Sequence, residues 1–165
     1  MKYFLFFITT LFLGLAFQLF INQCIFLPGQ SWSILLIAVI YLGLRRGGTV
    51  AQWMGWGWGL LWDGAMMGHL GSHSLFFTLV GFAAGYLRRH LDQTKIWAQS
   101  VSAGIVVFLY QLFDSLGGHL FGTNAPSTPW VLFLLNPLLN ALIAPLVVWG
   151  LHLWVQVWDL FPNED

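Results

Sequence analysis

Charge is what this chain has least of. Only 7% of its 165 residues are charged while 58% are hydrophobic, and with a mean hydropathy of +0.76 it has too little polar surface to cover a soluble globule of this size. The composition reads as a polytopic membrane protein. Cysteine is almost absent as well: Cys24 alone excludes an internal disulfide framework and any cysteine-based zinc site. Also missing are a G-x-S-x-G elbow, an H-E-x-x-H pair and a P-loop, so no nucleophile, metalloprotease or nucleotide site is spelled out, and neither a cofactor nor a nucleic-acid partner is expected. Acids and bases balance to a formal net charge of zero. The placement of the charges therefore carries the information, not their sum.

What the chain does have is apolar sequence in about six blocks near the ~20 residues that cross a bilayer, at approximately 3–26, 31–44, 50–67, 74–88, 96–116 and 130–158. The expected fold is an all-α polytopic bundle forming one integral membrane domain. Lys2 ahead of the first block suggests a signal peptide, but the block is too long for an h-region and has no A-x-A-like site, so a retained helix is expected. Pro28-Gly29 closes the first helix. The second is short, which implies an oblique start near Trp32 or a thinned bilayer. Arg45-Arg46-Gly47-Gly48 makes a tight turn into the third, and Gly68 and Gly71 break the third from the fourth. The substantial loop, Gly117 to Pro129, has turn composition.

Orientation follows from the bases. Every lysine and arginine, namely Lys2, Arg45, Arg46, Arg88, Arg89 and Lys95, lies at the N-terminus or in the second or fourth connection. With six spans these segments share one side, and the positive-inside rule puts both termini in the cytoplasm. One span more or fewer would scatter the bases across both sides.

The stretch Val50 to Ser74 is read as the organising element. Gly55, Gly59 and Asp63 fall at i, i+4 and i+8, so two residues without side chains and one acid share a helix stripe. Small residues at that spacing admit a second helix closely, and the acid must be satisfied by whatever approaches. At 1.5 Å per residue Asp63 sits ~22 Å above the cytoplasmic surface, and Asp114 ~28 Å. Gln18, Asn22, Gln111, Asn136 and Asn140 belong to the same outer half. For Asn136 and Asn140 the favoured role is interhelical hydrogen bonding rather than ligand binding. Asp63 is expected to be protonated, or bonded to amide, hydroxyl or indole groups, or paired with a basic group on another protein, since the sequence offers no basic residue at its depth. Asp114, nearer the boundary, reads as an acid open to water.

His69, His73 and His119 fall in outer connections and are read as solvated loop histidines. Gly71 between the first two interrupts an i, i+4 ligand pair. His152 is expected at the inner interface. The glycines around Trp56 pack helices and do not hold phosphate, because they lie within a span.

The run Gly59-Leu60-Leu61-Trp62-Asp63, followed by Gly68 to Gly71 and an apolar span ending in bases, resembles the central signature of the rod shape-determining protein MreD family. Pro28 ahead of Leu35-Leu36-Ile37 and Tyr41-Leu42, Ile96-Trp97-Ala98-Gln99, and Asn140-Ala141-Leu142-Ile143-Ala144-Pro145-Leu146 are similar to further pieces of that pattern, in the same order. The resemblance runs essentially end to end. It implies a non-catalytic component of the bacterial inner membrane that scaffolds the rod elongation complex. Its direct partner would be an MreC-like bitopic protein, and its indirect partners the actin-like MreB filament and the RodA glycosyltransferase with its transpeptidase. It also implies a fold related to the substrate-binding subunits of energy-coupling-factor transporters. Gly59, Asp63, Gly71 and Pro145 carry over as pattern positions. The tail departs from the family's usual basic character, with Asp159, Glu164 and Asp165 and no Lys or Arg after Lys95.

Two functions follow as expectations. A scaffold would recruit partners through helix faces, with Gly81 and Gly85 as candidate lipid-exposed small residues, and through Arg45, Arg46, Arg88 and Arg89. A small-solute binding subunit would instead enclose a cavity lined by Asp63, Gln111 and Asn140.

Overall fold

The computed structural model describes residues 2–24, 32–66, 70–90, 96–120 and 130–157. Six helices account for nearly all of them: α1 (Lys2–Cys24), α2 (Ile34–Arg46), α3 (Gly48–Met66), α4 (Ser72–Leu87), α5 (Ile96–Leu120) and α6 (Trp130–Val157). The protein is all-helical. The expected breaks at Pro28-Gly29 and Gly68, most of the 117–129 loop, His69, Lys95 and the acidic tail lie outside the described residues.

Long helices are outside and a short one is inside. α1, α5 and α6 are each long and apolar enough to cross a membrane. Their outward faces carry large apolar side chains such as Phe12, Phe20, Ile105, Leu109, Leu138 and Leu142, about half or more of each exposed. α2 has only 13 residues, and every one from Ile34 to Leu44 is buried. A helix apolar on all sides is stable either in lipid or among neighbours, and here the neighbours surround it. It packs against each of the other helices. The architectural centre is thus α2, not the stretch 50–74 that the sequence singled out, because the marks that single out α3 are those of a tight pairwise contact.

That contact joins α3 to α4. α2 and α3 are linked by Gly47 alone, at φ 95°, and α4 returns antiparallel along the glycine stripe. A Cβ added at Gly55 would sit 2.5 Å from the Phe77 carbonyl oxygen, and one at Gly59 would fall on the Ser74 backbone. Such approach maximises van der Waals contact, the main force holding helices together in lipid. Gly81 and Gly85 are consumed by the same contact, packed on Ala51 and on Gly48. The expectation that they form a lipid-exposed face is corrected: α4 turns its glycines to α3 and shows lipid Leu75, Leu79, Phe82 and Tyr86 instead.

α5 and α6 form a second hairpin, with Gly104 against Ala141 and Phe108 edge-on to Phe133. It closes on α2 through Ile37, Ala103 and Ala144. α1 is tied on through polar groups: the Trp58 indole donates to the Leu11 carbonyl at 3.1 Å, and the Trp154 indole to the Thr10 hydroxyl at 3.2 Å.

Candidate functional site

The two short helices create a chemical problem that the polar residues solve. α2 and α4 have 13 and 16 residues, about 20 and 24 Å of rise; the start of α2, from Ser33 to Leu35, is buried and that of α4, from Gly71 to His73, is half-buried. The first turn of a helix leaves N–H groups without intrahelical acceptors, and a buried, unpaired N–H costs roughly 1–3 kcal/mol. Neither Ser33 nor Gly71, the residues at the N-cap positions, supplies a side-chain cap of its own. Other helices do it for them.

At α4 the cap is Asp63, 1% exposed, reaching from the last turns of α3. Its Oδ2 accepts the Gly71 N–H at 2.8 Å, and its Oδ1 accepts the His73 N–H at 3.3 Å. His73 Nδ1 stands 2.5 Å from the same Oδ1. A carboxylate at this point also meets the positive end of the α4 dipole. The geometry depends on Gly71, whose φ of 99° lies in the left-handed region that side chains disfavour. Ser74 completes the junction by donating its hydroxyl to the Trp56 carbonyl at 3.1 Å.

At α2 the caps come from two helices. Asn140 Oδ1 on α6 accepts the Ser33 N–H at 2.8 Å, while Gln18 on α1 accepts the Leu35 N–H through Oε1 at 3.2 Å and donates through Nε2 to the Trp32 carbonyl. Asn140 is itself oriented by donating Nδ2 to the Asn136 carbonyl at 2.9 Å. Asn136 and Asn140 are each 1% exposed.

Two sequence expectations are corrected here. A basic partner for Asp63 exists within the chain, because the 70–71 turn folds the first residues of α4 back to the level of Asp63. For the same reason His73 is not a solvated loop residue: its ring lies against Asp63, Phe77 and Tyr110. His152, toward the arginine end of α6, is half-buried with its Nδ1 3.2 Å from the Tyr41 hydroxyl.

The remaining candidates do not join this layer in one cavity. Gln111 is half-buried with its Oε1 enclosed and lacking a hydrogen-bond partner among the described residues, and Asp114 is exposed on α5. Pro145 follows fully buried Ala144 in α6. The pocket nearest the layer is lined by Gln18, Asn22, Trp32, Ser33, Trp62 and Tyr110 among others, and neither Asp63, Gln111 nor Asn140 faces it. Its volume is about 30 Å³, room for a water or two.

The four arginines gather at the opposite end. Arg45 and Arg46 end α2, Arg88 and Arg89 follow α4, and the Arg88 guanidinium lies beside Gly47 of the α2–α3 turn, 3.6 Å from where a Cβ there would be.

No known family model, characterised protein or solved structure matches this chain. Its functional reading rests on these residues and their geometry.

Sequence reasoning placed Gln18, Asn136, Asn140 and Asp63 at one level but did not see what they bond. Ser33 and Tyr110 carry no such sequence signal. The signal that could have found the caps is helix length: two helices shorter than a full span start below the membrane boundary, and their first N–H groups need acceptors from neighbouring helices at that depth.

Proposed function

We propose that this protein is a non-catalytic, six-span component of the bacterial cytoplasmic membrane, with both termini in the cytoplasm, that scaffolds the rod elongation complex with an MreC-like bitopic partner. One observation carries the reading. The residues behind the resemblance, Gly59, Asp63 and Gly71, converge on a single device that fixes α4 to α3. Their chemistry is spent on helix ends and backbone contact, which suits a rigid docking body better than a reaction centre. The arginine end suits a cytoplasmic rim, and the capped end the outer leaflet.

The alternative, a solute-binding subunit of the energy-coupling-factor type, needs an enclosed polar cavity. A space of about 30 Å³ and the engagement of Asp63 and Asn140 with backbone groups weigh against it.

Crosslinking in native membranes followed by purification tests the proposal. Recovery of an MreC-like protein or the RodA glycosyltransferase is the expected result. A transporter ATPase in their place would transfer the protein to the alternative class.

A further inference from the structure

Where α1 meets the start of α2 and the outer parts of α3 and α5, a cavity of about 30 Å³ is lined by the polar side chains of Gln18, Asn22 and Ser33 together with Trp32, Trp62 and Tyr110. That is space for one or two waters and for nothing larger. A cavity of this size stays dry when its walls are apolar and fills when they present two or more polar groups in need of partners. These walls present them.

Asn22 is the decisive one. Its Oδ1 is enclosed and has no hydrogen-bond partner among the described residues. Turning the amide over would put its NH₂ in the same place and leave that group in need of an acceptor, so the need does not depend on which end faces the cavity. Water meets either one, since it both donates and accepts. Ser33 gives its N–H to Asn140 but makes no cap bond with its hydroxyl. The Trp62 indole hydrogen-bonds the Tyr110 side chain; an indole nitrogen only donates, so the phenol oxygen accepts and its own proton is left over. Enclosed polar groups are paired in nearly every case, by protein or by ordered water, and for Asn22 no described residue does it.

We propose that this cavity is a water-binding site, in which one or two ordered waters bridge the Asn22 amide to the Ser33 and Tyr110 hydroxyls and so close the junction of α1, α2 and α5. A bridging water is nearly as good enthalpically as a direct hydrogen bond. The inference stands apart from the rod-complex reading and needs only the packing of these helices.

X-ray radiolysis of the full chain in nanodiscs tests it, because hydroxyl radicals formed from a bound water oxidise the side chains beside that water. Trp32 and Trp58 are both buried, at 7% and 1% exposed, but of the two only Trp32 lines the cavity. Mass spectrometry should find Trp32 oxidised several-fold faster than Trp58. Asn22→Leu, which removes the orphaned amide, should bring the Trp32 rate close to that of Trp58. Ser33→Ala, which keeps the backbone bond to Asn140, should lower it in part. Gln111→Leu removes an enclosed amide oxygen that lies outside the cavity and should leave the rate unchanged. Unfolding temperatures give a second readout: leucine in place of a water-bridged amide lowers the temperature, whereas leucine in place of a dry, unpaired one raises it. If Asn22→Leu does not fold, Ser33→Ala carries the test. Equal oxidation of Trp32 and Trp58 in the wild type overturns the proposal, as does a higher unfolding temperature in Asn22→Leu. A fast Trp32 rate that neither Asn22→Leu nor Ser33→Ala lowers comes from bulk water at the rim, and the bound-water site then falls.

Discussion

Asp63 and His73 meet at 2.5 Å across the α3–α4 turn, and the same carboxylate holds the backbone N–H groups of Gly71 and His73. An acid that looked unpartnered in the sequence is therefore a cap and an ion-pair candidate at once. Buried charge pairs are poor sources of net stability, but breaking one is costly.

The first prediction concerns that carboxylate. Asp63→Leu leaves two half-buried N–H groups and the imidazole without an acceptor, and should destabilise by roughly 2–4 kcal/mol. Asp63→Asn keeps one acceptor but turns an NH₂ toward a donor, so an intermediate loss of about 1–3 kcal/mol is expected. Thermal unfolding in detergent ranks them. An asparagine variant as stable as wild type would show that the carboxylate's second oxygen contributes nothing.

Removing His73 asks whether the pair is coupled. A double-mutant cycle over Asp63→Asn and His73→Leu should give an interaction of about 0.5–3 kcal/mol. Additive losses would mean that the imidazole is a packing group only, held by Phe77 and Tyr110.

Two glycines of α3 separate packing from helix propensity. Gly59→Ala drives a Cβ onto the Ser74 backbone, whereas the same change at Gly64 meets nothing within 4 Å. The first should cost about 2 kcal/mol or more, as overpacking does, and the second should be neutral or slightly favourable. Equal responses would remove the close-contact account of the hairpin.

The caps on α2 predict a local effect. Gln18→Leu and Asn140→Leu should each lose about 0.5–2 kcal/mol, and both should speed hydrogen exchange at Ser33 and Leu35 more than at the far end of α2. Uniform exchange changes along the helix would point to general loosening.

Orientation has a natural probe. Cys24, exposed at the last residue of α1, lies one turn beyond the Gln18–Asn22 level. An impermeant maleimide added to intact cells should label it, and in a Cys24→Ala background should leave a cysteine at exposed position 90 unlabelled. The reverse pattern would invert the inferred topology.

The sequence by itself determined the solvent and the blocks. Scarce charge and long apolar runs require a membrane and helices, because backbone N–H and C=O groups in lipid must be satisfied within the segment. The grouping of Arg45, Arg46, Arg88 and Arg89 at one end and of Gln18, Asn140 and Asp63 at the other was legible too, since depth along a helix is linear in residue number. What depends on azimuth and on chain reversal was not. That α2 lies at the centre, that Gly81 and Gly85 face α3 rather than lipid, and that His73 returns to Asp63 through Gly71 were all decided by tertiary structure. A pattern of small and apolar residues says that a face must be covered, but only the packed bundle says by which helix.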